Sequence, residues 1–134
     1  MNRLEVTIKQ VMNSGGIVMV DMETAGLTMT ALLIDAPHNP SWLKQGNLIF
    51  AVFKETEVSI AKDFSGKISL RNKIPCRVVN IVRGELMSII HMAFMDNQIQ
   101  SAITTRSVDM LELKKDDEVT AMIKANEITL MQKM

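Results

Sequence analysis

The chain has 134 residues, a mass of 15.0 kDa and 15 basic against 15 acidic residues. Zero net charge removes the sequence-independent attraction to phosphate backbones that drives nucleic-acid binding, unless the basic residues segregate on one face, and it argues against a polybasic membrane anchor. With 47% hydrophobic and 22% charged residues the composition is globular, and the one cysteine, Cys76, excludes an intrachain disulfide and a thiolate-built zinc or iron–sulfur site. No apolar run reaches about 18 residues, and Met1–Val6 has no signal-like stretch, so neither a membrane span nor export is expected. A reducing cytoplasmic location is the default for such a cysteine count.

In chain order, Leu4, Val6 and Ile8 alternate with Glu5, Thr7 and Lys9, the period of a half-buried strand. Gly15-Gly16 breaks it. Further strands are expected over Ile17–Met22, Leu27–Ile34 and Leu48–Phe53, with Val58–Ala61 closing the first set. Two prolines interrupt Asp35–Leu43, leaving at most a short turn of helix after Pro40. The polar, turn-forming Lys62–Lys67 reads as a seam. Beyond it come strands at Arg77–Val82, Met87–Met95, Ile99–Thr104, Glu118–Lys124 and Ile128–Met131, with Asp96-Asn97 as a hairpin turn. One helix is expected before the fourth of these. Its N-cap would be Thr105, its apolar side Val108, Leu111 and Leu113, and Lys114 and Lys115 would sit near its C-terminal end.

The two sets are an internal repeat. Phe53–Ile60 and Ile123–Leu130 both read apolar, Lys, two variable residues, Glu, β-branched, hydroxyl, apolar, at an offset of 70 residues. The same offset lays Asn2 on Asn72. Five short strands with at most one short helix, twice over, predict a mainly β chain of two tandem OB-like five-stranded small barrels, residues 1–63 and 68–134. Each unit would have a marginal core and need covering by the other or by a further chain.

Catalysis has poor support. His38 stands in a Pro/Asn loop and His91 in an apolar strand, and no triad order, phosphate loop or paired metal-ligand motif is present. Twelve methionines read as core, and their Met-x-x-Met spacings are too far apart in sequence for a thioether metal site. Asp116-Asp117-Glu118 lacks the spaced ligands of a calcium loop. Repeat two instead collects donors: Ser69 and Arg71 before its first strand, Thr104 and Ser107 around the helix start, Lys124-Ala125 at a strand end. Such groups suit an oxyanion. Each also has a plain alternative: Ser69 caps a turn, Arg71 pairs with a surface acid, Lys124 is a solvated strand end.

Ser69-Leu70-Arg71-Asn72, Ala102-Ile103-Thr104-x-x-Ser107 and Glu118–Ala125 together resemble the molbindin, or Mop-type, domain of the TOBE group, over residues 69–131. That family opens with Ser-Ala-Arg-Asn, keeps Thr-x-x-Ser near its helix and carries Glu-Val-Thr-Ala-x-Ile-Lys-Ala. Residues 2–62 resemble a diverged second copy, a tandem di-Mop arrangement. The resemblance implies a non-enzymatic protein that binds molybdate, and often tungstate, at interfaces between domains or subunits, for molybdenum storage and homeostasis. The ligands it implies are Ser69, Arg71, Thr104, Ser107, Lys124 and Ala125, with Asn72 and Lys54 as secondary candidates and no residue as a direct cation ligand. Asn72 is expected to fix the local turn. Self-association follows too, a trimer in preference to a dimer. A sensing or assembly module acting on a partner regulator or transporter is the alternative, and an OB-type nucleic-acid module fits less well with few aromatics.

Departures mark where the pattern weakens. Leu70 replaces a small Ala, Asn126 follows Lys124-Ala125, and Ile74-Pro75-Cys76 stands where a glycine is usual. Repeat one lacks Ser-x-Arg ahead of Asn2, aligns Leu33 and Ala36 with Thr-x-x-Ser, and keeps only Lys54, followed by Glu55. A carboxylate there repels anions, so repeat one is not expected to form the same site.

Overall fold

The computed structural model describes residues 1–34 and 39–134. Repeat one supplies β1 (Asn2–Ser14), β2 (Ile17–Thr24), β3 (Leu27–Leu33), β4 (Leu48–Phe53), a 3-10 turn (Glu55–Glu57) and β5 (Ser59–Ala61). Repeat two supplies β6 (Asn72–Val82), β7 (Met87–Phe94), β8 (Asn97–Thr104), α1 (Thr105–Met110), β9 (Glu118–Ile123), a 3-10 turn (Ala125–Glu127) and β10 (Thr129–Gln132). The chain is mainly β, with two five-stranded sheets of OB-like build. His38 and Ala36 lie outside the described residues.

Alternation builds the core. In β1 the buried residues are Asn2, Leu4, Val6 and Ile8, and in β6 they are Asn72, Ile74, Cys76 and Val78. Each of these long strands serves two neighbours. Residues 2–7 of β1 pair with β4 and residues 7–14 with β2, and the register slips between Ile8 and Gln10. In β6 the slip falls between Val78 and Asn80, the same place in the repeat. A one-residue bulge bends a strand and increases its twist, which lets one strand curl the sheet toward closure. Pro75 sits inside β6, so the strand begins five residues earlier than the expected Arg77. The proline is exposed, opposite Thr120, and no sequence rule marks that ladder position as free of an N–H requirement.

The fifth strands correct one expectation, that each set is closed by its own last strand. The first sheet runs β10-β4-β1-β2-β3 and the second β5-β9-β6-β7-β8. Val58–Ala61 therefore does not close the first set. β5 pairs with β9 of repeat two, and β10 pairs with β4 of repeat one. Four strands of each sheet come from one repeat and the fifth from the other. The two fifth strands share one apolar and hydroxyl pattern, so nothing local distinguishes the two partners. Phe53, Ile74, Ile90, Ile123 and Val58 belong to one continuous core cluster.

Smaller corrections concern termini. The helix N-cap is Thr104, whose Oγ1 accepts from Ser107 N–H at 3.1 Å, and not Thr105. Thr105 is buried, its hydroxyl donating to Gly84 O at 2.8 Å and meeting Ser88 Oγ at 2.8 Å. The helix stops at Met110, so Leu113, Lys114 and Lys115 lie beyond it. Lys114 N–H donates to Asp117 Oδ2 at 2.8 Å, a turn that competes with helix continuation. The β7–β8 hairpin turns at Met95-Asp96, with Met95 at φ 51°, because Asn97 already pairs with Phe94. After Pro40 the chain makes a hydrogen-bonded turn, Leu43 N–H to Pro40 O, and residues 40–47 form no helix.

Candidate oxyanion-binding site

Antiparallel pairing of β6 with β9 sets Asn72 opposite Ile123. The residues just outside that rung are Arg71 and Lys124, so the register brings the two cations to one end of the sheet. Ser69, Arg71 and Lys124 are exposed there and Ala125 is half-buried. Lys124 is extended, at φ −70° and ψ 140°, and caps the 3-10 turn that Ala125 opens. N–H groups at the start of such a turn have no partner within it, so Ala125 contributes a backbone donor. These four residues carry donors and cations and no carboxylate, and the nearest acid in sequence is Glu127 at the end of the turn.

The hydroxyl pair forms a second cluster. Thr104 Oγ1 donates to Ser107 Oγ at 2.8 Å while accepting Ser107 N–H, which leaves the Ser107 O–H free to donate outward. Thr104 pairs with Met87, at the start of β7, and Ile89 of β7 pairs with Val82, at the far end of β6 from Asn72. The two clusters therefore lie toward opposite ends of the sheet, and one chain does not bring its own six predicted ligands together. Within the chain, Ser107 lines a cavity of about 390 Å³ with Thr56 and Ser59 of repeat one.

The repeat-one counterpart is altered as its sequence implies. Glu55 stands in the place of Ala125, and its carboxylate binds the main-chain nitrogen of Met1, the counterpart of Arg71. That contact holds the Glu55 carboxyl below its ordinary value. Lys54 N–H donates to Glu57 Oε1 at 2.9 Å, which places a second carboxylate at the start of this turn. Lys54 remains exposed.

Asn72 departs from expectation. It is fully buried and does not fix a local turn: it bonds across the molecule to Thr30 of β3. Asn2 does the same to Gln100 of β8. The offset of 70 relates Asn2 to Asn72 and Thr30 to Gln100. The first relation is legible in the sequence, and the second is invisible without the fold. Two of the three acids of the acidic run are in ion pairs, Asp116 with Arg77 and Asp117 with Lys62, both at 3.0 Å. Among the described residues no group of three or more His, Cys, Asp or Glu could hold a metal ion, and no helix is long and apolar enough to cross a membrane.

Comparison with known proteins bears on both the fold and this end of the sheet. The TOBE domain family matches residues 68–130, the span that carries the donors. The molybdenum import ATP-binding proteins ModC of Brucella abortus (strain 2308) and of Brucella suis biovar 1 (strain 1330) are each 36% identical over 84 residues, 62% of this chain. The chain spans about a quarter of those relatives, 23% of their length. Among solved structures, the cytoplasmic molybdate-binding protein ModG, in a form with molybdate bound, superposes with a TM-score of 0.92 at 25% identity, covering 98% of this chain and 96% of its own. A molybdate-binding protein from Sporomusa ovata aligns over 50% of this chain and 100% of its own, at 40% identity and a TM-score of 0.49. The family match marks repeat two as a TOBE domain, and the likeness to ModG runs over both repeats and both paired sheets. As a whole, the chain has the build of a tandem Mop-type protein.

Proposed function

We propose that the chain is a non-enzymatic binding protein for molybdate, and for tungstate by the same chemistry, serving molybdenum storage and homeostasis in the cytoplasm. The observation that carries this reading is the β6–β9 register, which collects Arg71, Lys124 and the Ala125 N–H at one end of the sheet. Molybdate near neutral pH is a fully deprotonated tetrahedral dianion and only accepts hydrogen bonds, so a site made solely of donors suits it. Monohydrogen phosphate carries a proton, for which this set offers no carboxylate acceptor. Two cations offset the dianion, whose unpaired burial would be prohibitively costly. The structural likeness to ModG, a molybdate-binding protein, supports the same ligand.

Ser69, Arg71, Lys124 and Ala125 of one chain form one side of the site. Thr104 and Ser107 of a second chain form the other, because the same chain's pair lies toward the far end of its sheet. Around that pair Leu86, Met87 and Met110 are 82%, 54% and 78% exposed, an apolar border that a second copy would cover. The likeness to part of ModC favours one further reading, a sensing module that reports the same anion to a partner.

Calorimetric titration with sodium molybdate, with sulfate as control, tests the assignment. Molybdate should bind in preference to sulfate, and Arg71→Ala or Lys124→Ala should each weaken it about tenfold or more, as expected for removal of a charge-assisted bond. Unaltered binding in both variants would reject the assigned residues.

A further inference from the structure

Resting on the oxyanion reading above, we infer that Asn72 is the positioning residue of that site and that, through it, an occupied site grips the edge of the opposite sheet. The Asn72 amide serves two strands at once. Nδ2 donates to Ile123 O at 3.1 Å and to Thr30 O at 2.9 Å, and Oδ1 accepts from Thr30 N–H at 2.7 Å. Arg71 directly precedes Asn72, and Lys124 directly follows Ile123. One side chain thus ties together both segments that bear the cations and the Ala125 N–H, and fastens them to β3. β3 is an edge strand, so the outward N–H and C=O of Thr30 have no strand partner on that side. The amide replaces that strand for one residue. A tetrahedral anion of fixed size requires a fixed spacing between the Arg71 and Lys124–Ala125 segments, and Asn72 is the rigid, buried element that sets it.

Repeat one contains a built-in control. Asn2 is buried and clamps Gln100 in the same way, Oδ1 accepting from its N–H at 2.7 Å and Nδ2 donating to its carbonyl at 2.8 Å. Its neighbours are Met1 and the Lys54-Glu55 pair, where a carboxylate stands in place of Ala125. Among the described residues the bond from Asn72 to the β9 carbonyl has no counterpart at Asn2. Gln100 lies four residues, about 13 Å of strand, before Thr104. Both asparagines therefore stitch the sheets, but only Asn72 lies within a donor cluster.

Amide exchange of the wild-type chain with and without sodium molybdate reads this directly. Molybdate should slow exchange of the Thr30 N–H severalfold, although Thr30 belongs to the other repeat, and leave the Gln100 N–H unchanged. Calorimetry on folded Asn72→Ala and Asn2→Ala should then show molybdate binding weakened about tenfold in the first and within twofold of wild type in the second, a split that loss of a mere structural stitch would not produce. Equal losses in the two variants, or a Thr30 amide that responds no more than that of Gln100, would overturn the inference while leaving the site itself intact. If Asn72→Ala does not fold, the wild-type exchange experiment still decides. A wild-type chain that binds no molybdate would reject the functional reading and this inference with it.

Discussion

At the scale of single residues, burial decides what chemistry remains available. Cys76 is the only thiol, and desolvation inside the core pushes it up to about 12, partly opposed by a backbone hydrogen bond at Ala121. The native chain should therefore react with a disulfide reagent at about pH 8 far more slowly than the denatured chain, whose thiol is partly ionised there. Rapid labelling of the folded protein would contradict the burial. The sign for stability follows. Above the ordinary value of 9.0 the unfolded chain ionises while the folded chain stays protonated, so this group costs stability as pH rises toward 12. Glu55 was legible as a carboxylate hostile to anions. Its capture by the Met1 nitrogen, 54 residues away, was not, because local sequence carries no information about which strand ends meet.

At the scale of elements, alternation in β1 was readable because one face of that strand is buried and the side-chain period is two, whereas β4, with consecutive buried residues, was readable only as an apolar run. The fifth strands were readable as strands but not as to partner. β10 aligns Thr129 with Val52, Leu130 with Ala51, Met131 with Phe50 and Gln132 with Ile49, covering the outer edge of β4. A chain truncated after Ile128 should lose amide protection selectively along β4, in the sheet built from repeat one, while the β7–β8 ladder keeps its own. It should also aggregate more readily, since an uncovered edge offers free N–H and C=O groups to other chains. Unchanged β4 protection would mean that β10 contributes little to that sheet. The helix shows the converse failure. Lys114 and Lys115 fit a dipole argument but lie in a turn that Asp117 holds, a competition that helix-end statistics do not weigh.

At the scale of the molecule, two exchanged strands and two buried asparagine clamps make the repeats interdependent. Under the proposed function the site calls for further copies, because the two donor clusters of repeat two lie toward opposite ends of one sheet. Sedimentation at micromolar concentration should show a self-associated species, a trimer in preference to a dimer. A stable monomer that still binds molybdate would remove the second chain from the site.

The sequence by itself determined the β character, the repeat and its offset, the donors of repeat two and the loss of their counterparts in repeat one. All of these follow from residue type and spacing along a local stretch of chain. Only the tertiary structure decided which repeat receives each fifth strand, that Asn2 and Asn72 reach Gln100 and Thr30, and that Thr104 and Ser107 stand apart from Arg71 and Lys124. These depend on contacts between segments some 40 to 100 residues apart, such as the 42 separating Thr30 from Asn72 and the 98 separating Asn2 from Gln100. There several pairings satisfy the same hydrophobic pattern, and the choice among them rests on packing of the whole core and on satisfying every buried polar group.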